Sequence, residues 1–134
     1  MTWSHAVRRS SIAGVAFAAI ALGACSNSLA PFEPEVASAT DNFQLQATNV
    51  KAVTKTFTYA WVNNGTSATV NHSTVTTAGV AQLTIRDAGG TVVYDKALVP
   101  SLSEPTTSGT AGNWTIQLRL TGFSGTLNYR VQKR

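Results

Sequence analysis

The sequence predicts an all-β domain, an antiparallel sandwich of two sheets with about seven strands. Apolar and polar residues alternate with a period of two in several segments, turn signals rich in Gly and Asn separate these segments, and no segment after residue 25 has helical periodicity. Strands with one apolar face must bury that face against a second layer, so this many strands require two packed sheets. Hydrophobic residues make up 43% of the chain and charged residues 12%, which excludes a highly charged disordered protein.

The alternation sets the predicted strand boundaries. In the first strand Phe43, Leu45 and Ala47 alternate with polar residues, which gives one buried and one solvated face. The predicted strands are 43–50, 53–63, 67–76, 80–87, 91–97, 113–121 and 125–132. Six aromatic residues fall on the inward faces, where packing is their expected role: Phe57, Tyr59, Trp61, Tyr94, Trp114 and Tyr129.

Three turn signals predict hairpins between consecutive strands. They are Asn64-Gly65, Asp87-Ala88-Gly89-Gly90 and Gly122-Phe123-Ser124-Gly125. The register that these turns imply pairs Trp61 with Ala68, Tyr59 with Val70, Phe57 with His72, Ile85 with Val92, Leu83 with Tyr94, and Leu120 with Leu127.

Two further expectations concern the connections between strands. The third turn places Phe123 at an exposed hairpin tip, where it is a candidate contact for a partner or for the membrane, although a lone exposed Phe is common. The stretch 98–112 is predicted to be a long irregular loop, either functional or mobile.

The predicted domain resembles Ig-like and related Greek-key sandwiches, without the paired cysteines of antibody-type domains. Residues 109–114, with the two alternating segments that follow, also look similar to the closing hairpin of many secreted bacterial β-sandwich modules. This resemblance implies a fold style and no particular activity.

The first 24 residues have the organisation of a secretion signal. Residues 1–11 contain Arg8 and Arg9 and no acidic residue, and residues 12–24 form an uninterrupted apolar run. As a helix this run would be about 20 Å long, shorter than the ~30 Å hydrocarbon core of a bilayer. We therefore interpret residues 1–24 as a signal peptide and not as a membrane span.

Leu22-Gly23-Ala24-Cys25, at the end of this segment, resembles the lipobox of bacterial lipoproteins. The resemblance implies a diacylglyceryl thioether on Cys25, cleavage before Cys25 by a peptidase that recognises Leu22, Gly23 and Ala24, and acylation of the new amine. The alternative is an ordinary signal peptide followed by an incidental free thiol. Cys25 is the only cysteine, so the chain forms no intramolecular disulfide.

The lipoprotein interpretation also predicts the layout and address of the mature chain. Residues 25–41 would be the lipidated cysteine and a flexible tether interrupted by Pro31 and Pro34, and residues 42–134 would be the sandwich. Ser26, where the inner-membrane retention signal of enteric bacteria has Asp, implies an outer-membrane location in the envelope.

The mature sequence contains no recognisable catalytic or metal-binding motif. Its one histidine, His72, is expected to be a partly buried structural residue, and there is no Gly-x-Ser-x-Gly motif. One histidine without a free cysteine does not form an ordinary zinc site, and Asp87 is expected to stabilise its turn. We therefore expect a non-enzymatic protein without metal or cofactor.

Charge gives no reason to expect a nucleic-acid partner. Removal of Arg8 and Arg9 with the signal leaves eight basic and six acidic residues, a net charge of +2.

Three functions fit these features. The first is a membrane-tethered binding or accessory module with an envelope protein or polysaccharide as partner. The second is a carbohydrate-binding module that stacks sugars on Trp61 or Trp114, which would require an exposed indole. The third is an envelope hydrolase that uses His72.

Overall fold

The computed structural model describes residues 34–99 and 101–134, in which all the regular elements are β-strands. The strands are β1 (Glu35–Ala39), β2 (Asn42–Asn63), β3 (Ala68–His72), β4 (Val75–Arg86), β5 (Val92–Ala97), β6 (Leu102–Pro105) and β7 (Gly112–Lys133). All their pairings are antiparallel, so the predicted all-β class is confirmed. Within these two ranges no helix is long and apolar enough to cross a bilayer. The predicted signal peptide and Cys25 lie outside the described residues.

Two long strands, β2 and β7, each contribute to both layers of the sandwich. Residues 42–47 of β2 pair with 127–132 of β7, and residues 55–63 of β2 pair with 112–120 of β7. β1, β3 and β6 extend the first of these ladders, and β4 and β5 extend the second. We call them the first and the second layer.

Contacts between the two ends of β2 show that the ladder folds back on itself. The Asp41 N–H donates a hydrogen bond of 2.8 Å to the carbonyl oxygen of Val62. The rings of Phe43 and Tyr59, one from each layer, lie 5.4 Å apart. The inner faces of the two layers therefore enclose the core, and the hydrogen-bonded ladder continues from one layer into the other.

The corner between the layers depends on residues with left-handed backbone conformations. The register of β2 with β7 shifts between Ala47 and Lys55, and the register of β4 with β7 shifts between Thr76 and Val80. Residues with positive φ occur on all three strands at this point: Asn49, Ala52, Gly79, Gly122 and Gly125. Such bulges bend a strand sharply, which allows one strand to serve two layers.

The corner corrects the prediction of a third hairpin. β7 runs without interruption through Gly122 and Gly125, and Leu120 pairs with Lys55 and Ala81 instead of Leu127. Phe123 is fully buried in the core cluster, so its predicted exposure at a hairpin tip is wrong. The glycines that resembled turn residues supply the positive φ of the bend, and the bend directs the Phe123 ring inward.

The first predicted hairpin is also wrong in its pairing. The chain does bend at 64–66, but Trp61 pairs with Trp114, and Ala68 pairs with Lys133. The physical reason is that this bend carries the chain from the second layer to the first, so β2 and β3 do not pair with each other.

The second predicted hairpin is confirmed, with a different register. β4 and β5 pair around residues 87–91, but Ile85 pairs with Tyr94 and Arg86 with Val92. A bulge at this point lets two consecutive residues, Val93 and Tyr94, enter the core.

Two segments predicted to be irregular contain strands. Residues 35–39 of the predicted tether form β1 along the edge of β2, and part of the predicted 98–112 loop forms β6 against β3. β1 has no buried residue and β6 is short, so neither shows the alternation that identifies a strand with a buried face.

Candidate functional site

The outer face of the first layer carries a cluster of side-chain amides. On β2, β3 and β7 the inward positions of this layer are buried, so the polar residues between them point outward. In the central row Gln44 pairs with Arg130, which pairs with Asn71. We call this surface the amide face, and its residues are Gln44, Gln46, Asn71, Ser73, Asn128, Arg130 and Gln132.

The middle of the amide face is a shallow depression of about 210 Å³. The residues that line it are all of polar type: Asn71, Ser73, Asn128, Arg130 and Gln132. Arg130 is the one charged residue among them, and its guanidinium donates a 3.0 Å hydrogen bond to Oε1 of Gln44. The side-chain amides both donate and accept hydrogen bonds, so the depression offers both kinds of partner to a ligand.

The sequence alone did not identify this face. Its residues come from three strands, and Gln44 and Arg130 are 86 positions apart. The available signal was the alternation itself, because the outward positions are occupied by amides on β2 and by two amides, one on either side of Arg130, on β7. Only the pairing of those strands brings them together.

The outer face of the second layer is polar but differently organised. Thr58, Gln117 and Thr84 form one row across β2, β7 and β4. Asp95 accepts hydrogen bonds from Gln82 at 2.7 Å and from Thr84 at 3.0 Å. Gln117 is the amide at the middle of this row, which makes it a useful comparison with the amide face.

Both tryptophans proposed as sugar platforms are buried. Trp61 is 1% exposed and Trp114 is 0% exposed, and their rings meet edge to face at 5.8 Å. Their indole N–H groups donate to the carbonyl oxygens of Ala39 and Thr110, at 3.0 and 2.7 Å. Neither ring is available to stack on a sugar, so these two residues give no basis for carbohydrate binding.

His72, the residue required for the hydrolase hypothesis, lies in the interior at 2% exposure. Neither of its ring nitrogens has a hydrogen-bond partner among the described residues, nor does the hydroxyl of Tyr129 on the neighbouring strand. Burial lowers the pKa of His72, and the negative charge of Glu104 opposes this change only in part. His72 is therefore a neutral buried imidazole at neutral pH, with no carboxylate or nucleophile bonded to it in the part of the chain that the structure describes.

Asp87 has the turn-stabilising role that its position predicted. Its Oδ1 accepts hydrogen bonds from the backbone N–H groups of Gly89 (3.0 Å) and Thr91 (2.8 Å). Its Oδ2 accepts one from the N–H of Thr110 at 2.8 Å. These bonds favour the ionised carboxylate and lower the pKa of Asp87.

The remaining predicted site residues lie outside the described ranges. They are Cys25 and the three residues of the peptidase recognition sequence, Leu22, Gly23 and Ala24. Among residues 34–99 and 101–134, no group of three or more His, Cys, Asp or Glu residues is arranged to hold a metal ion.

No protein-family model and no curated protein matches this chain. Among solved structures, the chain is similar to a carbohydrate-binding module from Cellvibrio mixtus lichenase 5A, determined in complex with cellotriose. The match has 14% sequence identity and a TM-score of 0.44, and it covers 78% of this chain and 88% of the other.

Proposed function

We propose that this chain is a lipid-anchored lipoprotein of the bacterial cell envelope and that its β-sandwich is a non-catalytic binding module. The observation that carries the proposal is Leu22-Gly23-Ala24-Cys25 directly after a basic segment and an apolar run too short to span a bilayer. The residue types suit the chemistry, because a cysteine thiolate is the nucleophile that alkylation requires and small residues allow a peptidase to approach the backbone.

Anchoring through Cys25 would keep the sandwich close to a membrane. Two acyl chains on the thioether and one on the amine exceed the two signals that stable membrane attachment needs. Residues 26–34 separate Cys25 from the start of β1, and nine residues span at most about 30 Å when fully extended. Ser26 favours the outer membrane as the site of attachment.

The amide face supports a binding role for the sandwich. It is polar, and its side chains project from paired strands in cross-strand rows, so strand pairing sets the backbone positions that carry them before any ligand arrives. An envelope polysaccharide or an envelope protein is the expected partner.

The anchor is tested by expressing the full chain and a Cys25→Ala variant in a diderm bacterium. We expect the wild-type protein to fractionate with membranes, and mass spectrometry to find a mature N-terminus at residue 25 with acyl groups attached. The variant should remain unprocessed or lose its acyl groups. A Ser26→Asp variant is the matched control, since it keeps the lipidation site and should move the protein to the inner membrane. A wild-type product that is soluble and has an unmodified thiol would contradict the proposal.

A further inference from the structure

The spacing of side chains on the amide face suits an extended ligand. Neighbouring strands lie about 4.8 Å apart, and successive outward residues of one strand lie about 6.8 Å apart. The two cross-strand rows centred on Arg130 and Asn128 therefore form a grid of donors and acceptors across β2, β7 and the end of β3. Such a grid contacts successive units of a linear polymer better than it encloses a compact small molecule.

The chemistry of the lining favours a glycan over a protein. Stable protein interfaces have an apolar core, whereas every residue that lines the depression is polar. Side-chain amides pair with groups that both donate and accept hydrogen bonds, which describes the hydroxyl and acetamido groups of a glycan. No acidic residue lines the depression, and the guanidinium of Arg130 suits a carboxylate carried by the same polymer.

We propose that the amide face binds a cell-wall glycan strand that carries acetamido as well as hydroxyl groups. This inference rests on the proposed function, because the lipid anchor is what would hold the face close to the cell wall. Asn71, Asn128 and Gln132 bond to the hydroxyl and acetamido groups, and Arg130, oriented by Gln44, binds a carboxylate of the strand.

The test uses the full-length protein purified in detergent micelles and two kinds of probe. Co-sedimentation with purified peptidoglycan sacculi measures binding to the polymer. Titration with a β-1,4-linked N-acetylglucosamine hexamer, and with cellohexaose as the analogue without acetamido groups, measures which substituent is recognised. We expect binding to sacculi and to the acetylated hexamer, and roughly tenfold weaker binding to cellohexaose because one or more hydrogen bonds are lost.

Substitutions locate the site on the sandwich. Asn128→Ala and Arg130→Ala should each weaken binding to sacculi by roughly tenfold or more, the effect of one lost hydrogen bond to a ligand. Gln117→Ala is the matched control, since it removes an amide from the outer face of the other layer and should leave binding unchanged. Circular dichroism and thermal unfolding establish that each variant is folded, and Asn71→Ala on β3 provides an independent test if a β7 variant is not.

The outcomes separate this inference from the proposed anchor. Acylated protein that does not sediment with sacculi would overturn the glycan site and leave the anchor intact. Wild-type affinity in the folded amide-face variants, or equal binding of cellohexaose, would also overturn it. Protein without acyl groups that still sediments with sacculi, and that loses this binding in the Asn128→Ala and Arg130→Ala variants, would support the glycan site and contradict the anchor.

Discussion

Replacement of Gly79 by Ala tests whether the corner between the layers requires glycine for space as well as for conformation. Gly79 has a φ of +70°, and a Cβ built on it would lie 2.2 Å from the carbonyl oxygen of Gly122. It would also lie 2.4 Å from the carbonyl oxygen of Thr121. Both neighbours are backbone atoms, so no side-chain rotation relieves the contact, and β4 must move away from β7.

Gly122→Ala is the matched control at the same corner. Gly122 has a φ of +54°, and a Cβ there would meet no atom within 4 Å. Its substitution should therefore cost only the left-handed conformational penalty of an L-residue, about 1–2 kcal/mol. Gly79→Ala bears the same penalty and an added backbone distortion, and a bond-angle change of about 15° costs about 4 kcal/mol. We expect Gly79→Ala to be less stable than Gly122→Ala by about 3 kcal/mol or more.

Urea unfolding followed by the fluorescence of Trp61 and Trp114 measures this difference, because both indoles are buried in the native state. The two variants should unfold at clearly different urea concentrations with similar slopes. Equal loss of stability in both variants, or a Gly79→Ala protein as stable as the wild type, would refute the explanation of the corner given above.

Three further predictions concern the core, the second hairpin and the buried histidine. Phe123→Ala should destabilise the fold by about 3–5 kcal/mol, whereas Val80→Ala, at 49% exposure, should change it little; a small effect of Phe123→Ala in urea unfolding would mean that the ring is not packed in the core. The native pKa of Asp87 lies below its ordinary 3.8, so the Asp87 carboxylate contributes stability above pH 3.8, and this contribution disappears as the pH falls further. Between about pH 5 and pH 2, the urea midpoint of the Asp87→Asn variant should therefore depend less on pH than that of the wild type. The native pKa of His72 lies below its ordinary 6.5, so the unfolded chain binds a proton first as the pH falls, and wild-type stability should decrease below pH 6.5. The His72→Gln variant should lack this decrease, and an identical decrease in the variant would exclude His72 as its cause.

The sequence predicted the inward faces of the strands well because alternation reports burial directly. Phe43, Leu45, Leu118 and Tyr129 were all expected to face the core, and all are fully buried. The sandwich class followed from those faces, because each apolar face needs a second layer to cover it.

Long-range pairing could not be read in the same way. A glycine pair such as Gly122 and Gly125 marks either a hairpin or a bulged corner, because both need positive φ. Which of the two forms depends on whether β2, more than sixty residues earlier, continues alongside β7 through that point, as it does. The alternation itself held a clue: from Leu120 the next buried residue is Phe123, three positions on, which is the spacing of a bulge.

The candidate site could not be predicted from the sequence either, because it also depends on long-range strand pairing. Gln44 and Arg130 are unremarkable polar residues in their own strands, and only their pairing makes them neighbours. The edge strand β1 could not be predicted from alternation either, because its backbone holds it to β2 while its side chains are exposed.

The central position of β7 has a consequence for the order of assembly. β7 pairs with β2, β3 and β4, and it follows all of them in the chain. The strands made earlier lack their common neighbour until β7 exists, and loops of many tens of residues must close before the core forms, which slows folding. A nascent chain would therefore lack stable pairing for β2, β3 and β4 until β7 has been made, and both layers would then assemble together in one late step.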